Sequence, residues 1–242
     1  ASPVAILVSL AVAADESDAL GELGEGIRSA ADALGVPLVG GDLTTSPGPI
    51  VIDVTVVGES EAPVTRAGAA AGDEMWVTGV LGGSAGAVHA WREGTEPAAE
   101  LREAFVRPTV RIEEALWLVD HGGVRAMIDL SDGLAGDAGH LAAAAGVRIV
   151  LDPGAVPIHA GLPEEEASRL AMFGGEDYEL CFASTPGVIE PIVGSFKERF
   201  GVELTRVGYV EKGDGVHVRT EGGLKKIGAG GFDHFAPGRG SC

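Results

Sequence analysis

The stretch from Met127 to His140 constrains this chain most, because it places carboxylates where an apolar strand turns into a helix. It reads Met-Ile-Asp-Leu-Ser-Asp-Gly-Leu-Ala-Gly-Asp-Ala-Gly-His. The apolar residues before Asp129 predict a strand, and the spacing that follows predicts a helix that stops at Gly146. Asp129 and Asp132 then lie at one strand-to-helix corner. Hard oxygen ligands beside free backbone N–H groups suit a Mg²⁺ ion that carries a polyphosphate.

The same corner allows a purely structural interpretation. Ser131 or Asp132 can accept the unpaired N–H groups at the start of the helix, and Asp129 can simply end the strand. Aspartate and serine are ordinary capping residues, so an isolated Asp-Leu-Ser-Asp-Gly favours the two interpretations about equally.

The charge of the chain bears on its partners. Thirty-six acidic residues against 17 basic ones give a net charge of −19. This charge repels a nucleic-acid backbone and an anionic membrane surface, so we expect neither as a partner. It also opposes an anionic nucleotide, which would need bound cations or local arginine and N–H groups. The composition is therefore a second indication of a metal.

Length and cysteine content narrow the class of protein. With 242 residues, the chain can form one large domain or two of ordinary size. Its two cysteines form neither a disulfide framework nor a zinc motif, which favours a reducing compartment. The apolar run from Val4 to Ala13 is too short to span a bilayer and lacks a basic flank. We therefore expect a cytoplasmic protein.

Strands and helices follow one another along the chain, which predicts an α/β or mixed α+β architecture. Residues 3–12 read as a strand and residues 20–34 as an amphipathic helix, whereas Gly40-Gly41-Asp42 reads as a turn. Because a buried strand stands at the very start, we expect that a segment has been lost upstream. Residues 70–73 look like a domain boundary. Arg66, just before them, reads either as a solvated side chain or as a phosphate clamp.

Two further stretches carry glycines and polar groups. Residues 79–86, Gly-Val-Leu-Gly-Gly-Ser-Ala-Gly, resemble a phosphate-binding loop only superficially, since no Lys-Ser or Lys-Thr follows. Residues 173–182, Phe-Gly-Gly-Glu-Asp-Tyr-Glu-Leu-Cys-Phe, predict a strand. Tyr178, Leu180 and Phe182 would share one face of that strand, with an acidic pair at its mouth.

Together these blocks resemble the thiamine-monophosphate kinase family along the whole chain. The resemblance rests on five ordered segments: residues 39–45, 77–86, 127–141, 174–182 and 231–235. It implies ATP-dependent phosphorylation of thiamine monophosphate to thiamine diphosphate by direct in-line transfer, with no phosphoenzyme. The Asp-Leu-Ser-Asp-Gly block alone is shared with the wider superfamily of aminoimidazole-ribonucleotide synthetase and selenophosphate synthetase.

The resemblance also implies a role for individual residues. Asp42, Asp129 and Asp132 would be ligands of Mg²⁺. ATP would be contacted by Gly41, Arg66 and Ser131, and the thiamine side by Glu176 and Phe232. Catalysis would consist of alignment and charge neutralisation.

The domain organisation expected from the resemblance is a two-domain synthetase-like fold. Residues 1–70 would be the C-terminal part of an ATP-binding domain, and residues 71–242 a mixed α/β domain. Family members carry a further N-terminal portion with a Gly-Asp-Asp segment, which also helps to form a homodimer; we expect that portion to be missing here. The alternatives are a related synthetase of the aminoimidazole-ribonucleotide or selenophosphate type, or a non-catalytic nucleotide- and metal-binding fragment.

Overall fold

The computed structural model describes residues 2–228 and divides the chain into two compact units, Ala1–Pro63 and Val64–Cys242. Both units combine helices with a sheet, so the mixed α/β class predicted from the sequence is confirmed. The domain limits expected from the sequence, 1–70 and 71–242, stay predictions. Among residues 2–228, no helix combines the length and the apolar character needed to cross a membrane.

The first unit is a three-stranded sheet with one long helix. Its strands are β1 (Ser2–Val12), β2 (Leu38–Thr45) and β3 (Val51–Glu59), and its helix is α1 (Leu20–Leu34), which follows a 3₁₀ turn at Ala14–Ala19. The strand order is β2-β1-β3, with β2 parallel and β3 antiparallel to β1.

The helix α1 ends where the sequence predicts. Gly35 adopts a left-handed conformation with φ of 64°, which a glycine reaches without strain. Ala31 of α1 packs with Ile6 and Val8 of β1 and with Val36, and these residues form the small core of the unit.

The Gly40-Gly41-Asp42 segment is not a turn, so that prediction is wrong. It lies inside β2, where Gly41 pairs with Val8 and Asp42 with Ser9 of β1. A Cβ atom on Gly41 would lie 1.7 Å from the carbonyl oxygen of Val8. The glycine therefore permits a close approach of two strands.

The second unit contains a seven-stranded sheet and six α-helices within its described residues. The strand order is β10-β9-β6-β8-β4-β7-β5, and all neighbours are antiparallel except β6 and β9. The strands are β4 (Glu74–Thr78), β5 (Val124–Asp129), β6 (Arg148–Leu151), β7 (Leu180–Ser184), β8 (Leu204–Glu211), β9 (Gly215–Thr220) and β10 (Gly223–Ile227). The helices are α2 (Gly83–Arg92), α3 (Ala99–Val106), α4 (Ile112–Asp120), α5 (Leu134–Ala145), α6 (Glu164–Phe173) and α7 (Val193–Phe200). Short 3₁₀ turns lie at Pro153–Ala155 and Glu190–Ile192.

Both faces of this sheet are covered. Successive side chains of β4 belong to different clusters, since Met75 and Val77 pack in one and Trp76 in the other. Residues of α5 and α6 belong to the first cluster, whereas Leu118 of α4 and Phe196 of α7 belong to the second. The sheet therefore lies between two packed layers, one with α5 and α6 and the other with α4 and α7.

The stretch at 173–182 differs in part from its prediction. Leu180 and Phe182 do share one face, because both pack in the second cluster with Trp76. Tyr178, however, precedes β7 and has a positive φ of 51°, so it does not continue the strand. Tyr178 instead lines the cavity described in the next subsection.

Candidate functional site

Backbone hydrogen bonds join the corner between β5 and α5 to residues 174–179. The N–H of Leu130 donates to the carbonyl of Glu179 at 2.8 Å, and the carbonyl of Leu130 accepts the N–H of Tyr178 at 2.9 Å. The carbonyl of Ser131 accepts the N–H of Glu176 at 3.0 Å. The two stretches that stand out most in the sequence are therefore joined directly, which their separation along the chain does not reveal.

Two glycines allow this contact. Gly133 has φ of 99°, and a Cβ atom there would lie 2.7 Å from the carbonyl oxygen of Gly174. A Cβ atom on Gly175 would lie 2.3 Å from the carbonyl oxygen of Ser131. Side chains at either position would push the two backbones apart.

The prediction that Ser131 or Asp132 caps α5 is wrong. The N-cap position is Gly133, and no side chain caps this helix end. Asp137, inside the first turn, instead accepts the N–H of Asp132 at 3.0 Å. The helix does end at Gly146 as predicted, with φ of 66°. Because the carboxylate of Asp132 is not used for capping, it can serve a ligand.

Asp137 is a residue that sequence reasoning did not select. It is 1% exposed, and burial raises its pKa to about 6, although the hydrogen bond from Asp132 acts in the opposite direction. Nε2 of His140 lies 3.6 Å from the carboxylate of Asp132. One oxygen each from Asp132 and Asp137 and one ring nitrogen of His140 lie within 4.8 Å of one another.

The segment beside this corner is strained. Glu176 and Tyr178 both have positive φ, 66° and 51°, which non-glycine residues rarely adopt. The hydroxyl of Tyr178 donates to Oε2 of Glu176 at 2.9 Å. Burial, followed by this bond and the charge of Glu176, raises the pKa of Tyr178 to about 12. Such strain commonly accompanies a functional site.

The glycine-rich loop before α2 binds a side chain of the protein. Asp177 accepts the N–H of Gly82 at 2.8 Å, so a carboxylate occupies the start of this helix. Burial raises the pKa of Asp177 to about 7.

A buried ion pair lies behind β7. Both Nε and Nη2 of Arg111 donate to the carboxylate of Glu179, at 2.9 and 2.6 Å, and Nη1 donates to Glu114 at 3.0 Å. Burial lowers the pKa of Arg111, but the bonds and charges of the two glutamates more than offset this and raise it overall. The hydroxyl of Thr78 also bonds to Glu179. Neither Arg111 nor Glu179 was singled out from the sequence.

An apolar cavity of about 460 Å³ opens beside this ion pair. Asp129 and Tyr178 form part of its wall, so it adjoins the strand-to-helix corner. The other lining residues are Pro108, Thr109, Val110, Arg111, Ile112, Ala115 and Leu180. Its volume lies in the range of about 300 to 1,000 Å³ that small-molecule sites occupy.

The remaining predicted site residues have different positions. Arg66 is exposed, and its neighbour Thr65 accepts the N–H of Met127, which places this segment alongside β5. Gly41 and Asp42 are exposed residues of β2 in the first unit. The convergence of Asp42 with the aspartates of the second unit stays a prediction. Phe232 lies outside the described residues.

The donors at the corner fit a hard divalent cation. Asp129 is exposed at the end of β5, and the side chain of Asp132 is 37% exposed. Both offer carboxylate oxygens, which are the ligands that Mg²⁺ prefers.

Known protein families match both parts of the chain. The AIR synthase related protein, N-terminal domain, matches residues 1–60, and the C-terminal domain of the same family matches residues 70–221. The thiamine-monophosphate kinase of Rhodopirellula baltica is 36% identical over 217 residues. This match covers 87% of the chain but only 63% of that relative, so the chain spans less than two thirds of its length.

Two solved structures are similar in sequence and in fold. Thiamine-monophosphate kinase from Stenotrophomonas maltophilia superimposes with a TM-score of 0.78 at 33% identity, covering 90% of this chain and 72% of that one. AaThiL complexed with AMPPCP and TMP superimposes with a TM-score of 0.79 at 32% identity, covering 96% and 74%. The likeness therefore extends across both compact units of the chain.

Proposed function

Because the chain belongs to the thiamine-monophosphate kinase family of AIR synthase related proteins, we propose that it transfers a phosphoryl group from ATP to thiamine monophosphate. The products are ADP and thiamine diphosphate. The activity belongs to the complete protein, since the chain spans 63% to 74% of the length of the relatives described above.

One observation carries the proposal. The backbone of the Asp-Leu-Ser-Asp-Gly turn bonds directly to the segment that holds Glu176, through Ser131 and Leu130. Candidate metal ligands and a candidate thiamine contact thus share one surface of the second unit. The relative AaThiL was solved with AMPPCP, an ATP analogue, and with TMP, so that protein accommodates both classes of ligand.

Asp42, Asp129 and Asp132 would be ligands of Mg²⁺. When bound, Mg²⁺ offsets the charge repulsion between the phosphates of the two substrates. This assistance matters in a chain of net charge −19, whose field opposes polyphosphates.

The protein residues then bind and orient the substrates. Gly41, Arg66 and Ser131 contact ATP, and Arg66 supplies positive charge to its phosphates. Glu176 and Phe232 contact the thiamine side. The phosphate of thiamine monophosphate is already ionised, so it can attack without a general base and without a phosphoenzyme.

The cavity beside the corner suits the thiamine rings. Its walls are apolar, and Tyr178 joins it to Glu176 through a hydrogen bond. Arg111, the only positive side chain among the described residues that line the cavity, is already paired with Glu179 and Glu114. The carboxylates therefore outnumber the cation, which favours a positively charged thiazolium over a neutral or anionic ring.

The experiment measures product formation by the complete protein with ATP, Mg²⁺ and a panel of acceptors. We expect thiamine diphosphate from thiamine monophosphate. We also expect Asp132→Asn to lower kcat by at least about a hundredfold, because one strong electrostatic contact to the transition state is lost. Asp120→Asn, which removes the same charge from an exposed helix end, is the matched control and should leave kcat unchanged.

Other outcomes would redirect the proposal. Turnover with an aminoimidazole precursor or selenide, but not with thiamine monophosphate, would indicate the related synthetases. Mg²⁺-dependent nucleotide binding without any product would indicate a non-catalytic module. Normal turnover of Asp132→Asn would remove this residue from the metal site.

We also propose that the complete protein is a cytoplasmic homodimer. Strands β2 and β3 are exposed along their whole length and carry many aliphatic side chains. The largest are Leu38, Val39, Leu43, Val51, Ile52, Val54, Val56 and Val57, each between 46% and 59% exposed. A monomer would leave this surface in water, which is unusual for a stable protein. A monomeric mass in light scattering would contradict the dimer, and recovery outside the cytoplasm on fractionation would contradict the location.

A further inference from the structure

Asp137 is a buried carboxylate for which the proposed reaction has no use so far. It lies in the first turn of α5 and is 1% exposed. Burying a carboxylate is costly unless its oxygens are bonded. Here one oxygen accepts the backbone N–H of Asp132 at 3.0 Å. A well-packed apolar side chain at this position would avoid the cost of burying a carboxylate. The hydrogen bond to Asp132 therefore needs an explanation of its own.

This bond fixes the middle of the turn that carries the candidate metal ligands. Asp132 is followed by Gly133, whose φ of 99° leaves the turn without the support of a regular helix. On the other side, Ser131 is bonded to Glu176. Asp137 therefore fixes the backbone of Asp132, next to the Ser131 carbonyl that accepts the N–H of Glu176.

We propose that Asp137 is a positioning residue for phosphoryl transfer. By accepting the N–H of Asp132, it orients the Asp132 carboxylate toward a divalent cation and keeps Ser131 aligned with Glu176. The bond uses only the backbone N–H of Asp132, and the side chain of Asp132 takes no part in capping α5, so its carboxylate stays available to a cation. The inference rests on the proposed function, since it assigns Asp132 to the metal. Substitution of a residue that supports a metal ligand in this way commonly lowers metal affinity or activity about 10- to 100-fold.

The experiment compares Asp137→Ala with Asp137→Asn in the complete protein. Two quantities are measured: the Mg²⁺ concentration that gives half-maximal turnover, and the affinity for Mn²⁺ in the presence of AMPPCP by calorimetry. We expect Asp137→Ala to weaken both by about 10- to 100-fold. Asp137→Asn should largely restore them, because its amide oxygen can accept the same N–H.

A matched control separates positioning from general stability. Leu141→Ala removes a fully buried side chain from the same helix and lowers stability through packing alone. It should leave the Mg²⁺ dependence unchanged at temperatures where the protein is folded. If Asp137→Ala does not fold, Asp137→Ser replaces it, because its hydroxyl is too short to span the bond.

Three results would overturn the inference: an unchanged Mg²⁺ dependence in Asp137→Ala, the same change in Leu141→Ala, or equal loss in Asp137→Asn and Asp137→Ala. Failure of the proposed function looks different. Wild-type protein that binds the metal and the nucleotide but phosphorylates no acceptor would refute the kinase activity. The calorimetric comparison of the Asp137 variants would still decide whether this residue positions a metal ligand.

Discussion

Asp177 provides a quantitative test of how burial acts in this site. Its carboxylate accepts the N–H of Gly82 at the start of α2. Burial raises its pKa from 3.8 to about 7, while backbone N–H groups of the helix start partly oppose the shift. In the folded protein, Asp177 therefore keeps a proton over a pH range in which the unfolded chain has lost it.

The sign of the effect on stability follows from this difference. Because the folded pKa is raised, the stabilising contribution is fully present below about pH 4 and is lost as the pH rises through about 7. A shift of about three pKa units corresponds to about 4 kcal/mol in total, at 1.36 kcal/mol per unit. Between pH 5 and pH 8, the loss amounts to about 2 to 3 kcal/mol.

The assay is urea unfolding of the wild type and of Asp177→Asn at several pH values. Many other groups titrate in both proteins, so the informative quantity is the difference between their free energies of unfolding. We expect the wild type to lose about 2 to 3 kcal/mol relative to Asp177→Asn from pH 5 to pH 8. Asp120→Asn, which removes an exposed charge, should show a nearly constant difference from the wild type. Parallel curves for the wild type and Asp177→Asn would refute the argument that burial controls this carboxyl group.

Two further predictions concern the ion pair and the thiamine side. Arg111→Ala should lower the free energy of unfolding by about 3 to 5 kcal/mol, because it leaves Glu179 and Glu114 buried without their partner. Arg169→Ala, which breaks an exposed pair with Glu166, should cost less than about 1 kcal/mol in the same urea titration; equal losses would contradict the role of burial. Phe232→Ala should raise KM for thiamine monophosphate more than KM for ATP in steady-state kinetics, and an equal rise in both would count against an aromatic contact to the thiamine ring.

Local sequence signals predicted the elements that depend on local chemistry. The end of α5 at Gly146 and the end of α1 at Gly35 both follow from glycine in a left-handed conformation. The first strand was also predictable, since residues 3–12 form an apolar run of strand length. These features need no knowledge of distant parts of the chain.

The errors arise where a distant contact decides the local structure. Gly41 was predicted to lie in a turn because glycine is common in turns. It lies instead in β2, where the backbone of Val8 comes so close that no Cβ atom would fit. Similarly, the N-cap position of α5 is Gly133 and not Ser131 or Asp132, and the N–H of Asp132 donates to Asp137, a contact between residues five positions apart. A glycine in the sequence indicates that another group can approach the backbone closely, and an aspartate indicates a polar partner. Neither residue identifies the group that it contacts.

The site residues divide in the same way. Asp129 and Asp132 could be selected because they flank one corner in the sequence. Arg111 and Glu179, by contrast, are 68 positions apart and meet only after β7 and α4 pack together. An arginine and a glutamate this far apart look like ordinary surface charges, and no local pattern marks them as a buried pair.

Burial explains which carboxylates around the corner can serve a ligand. The buried ones are bonded to the protein, Asp137 to a backbone N–H and Glu179 to Arg111. Asp129 and Glu176 are exposed, and the Asp132 side chain is 37% exposed. A carboxylate that remains hydrated can exchange water for a metal or a cation without breaking the fold, whereas a buried one would first have to give up its partner. Substitutions of the buried carboxylates should therefore change stability or alignment. Substitutions of the exposed carboxylates should change metal and substrate binding.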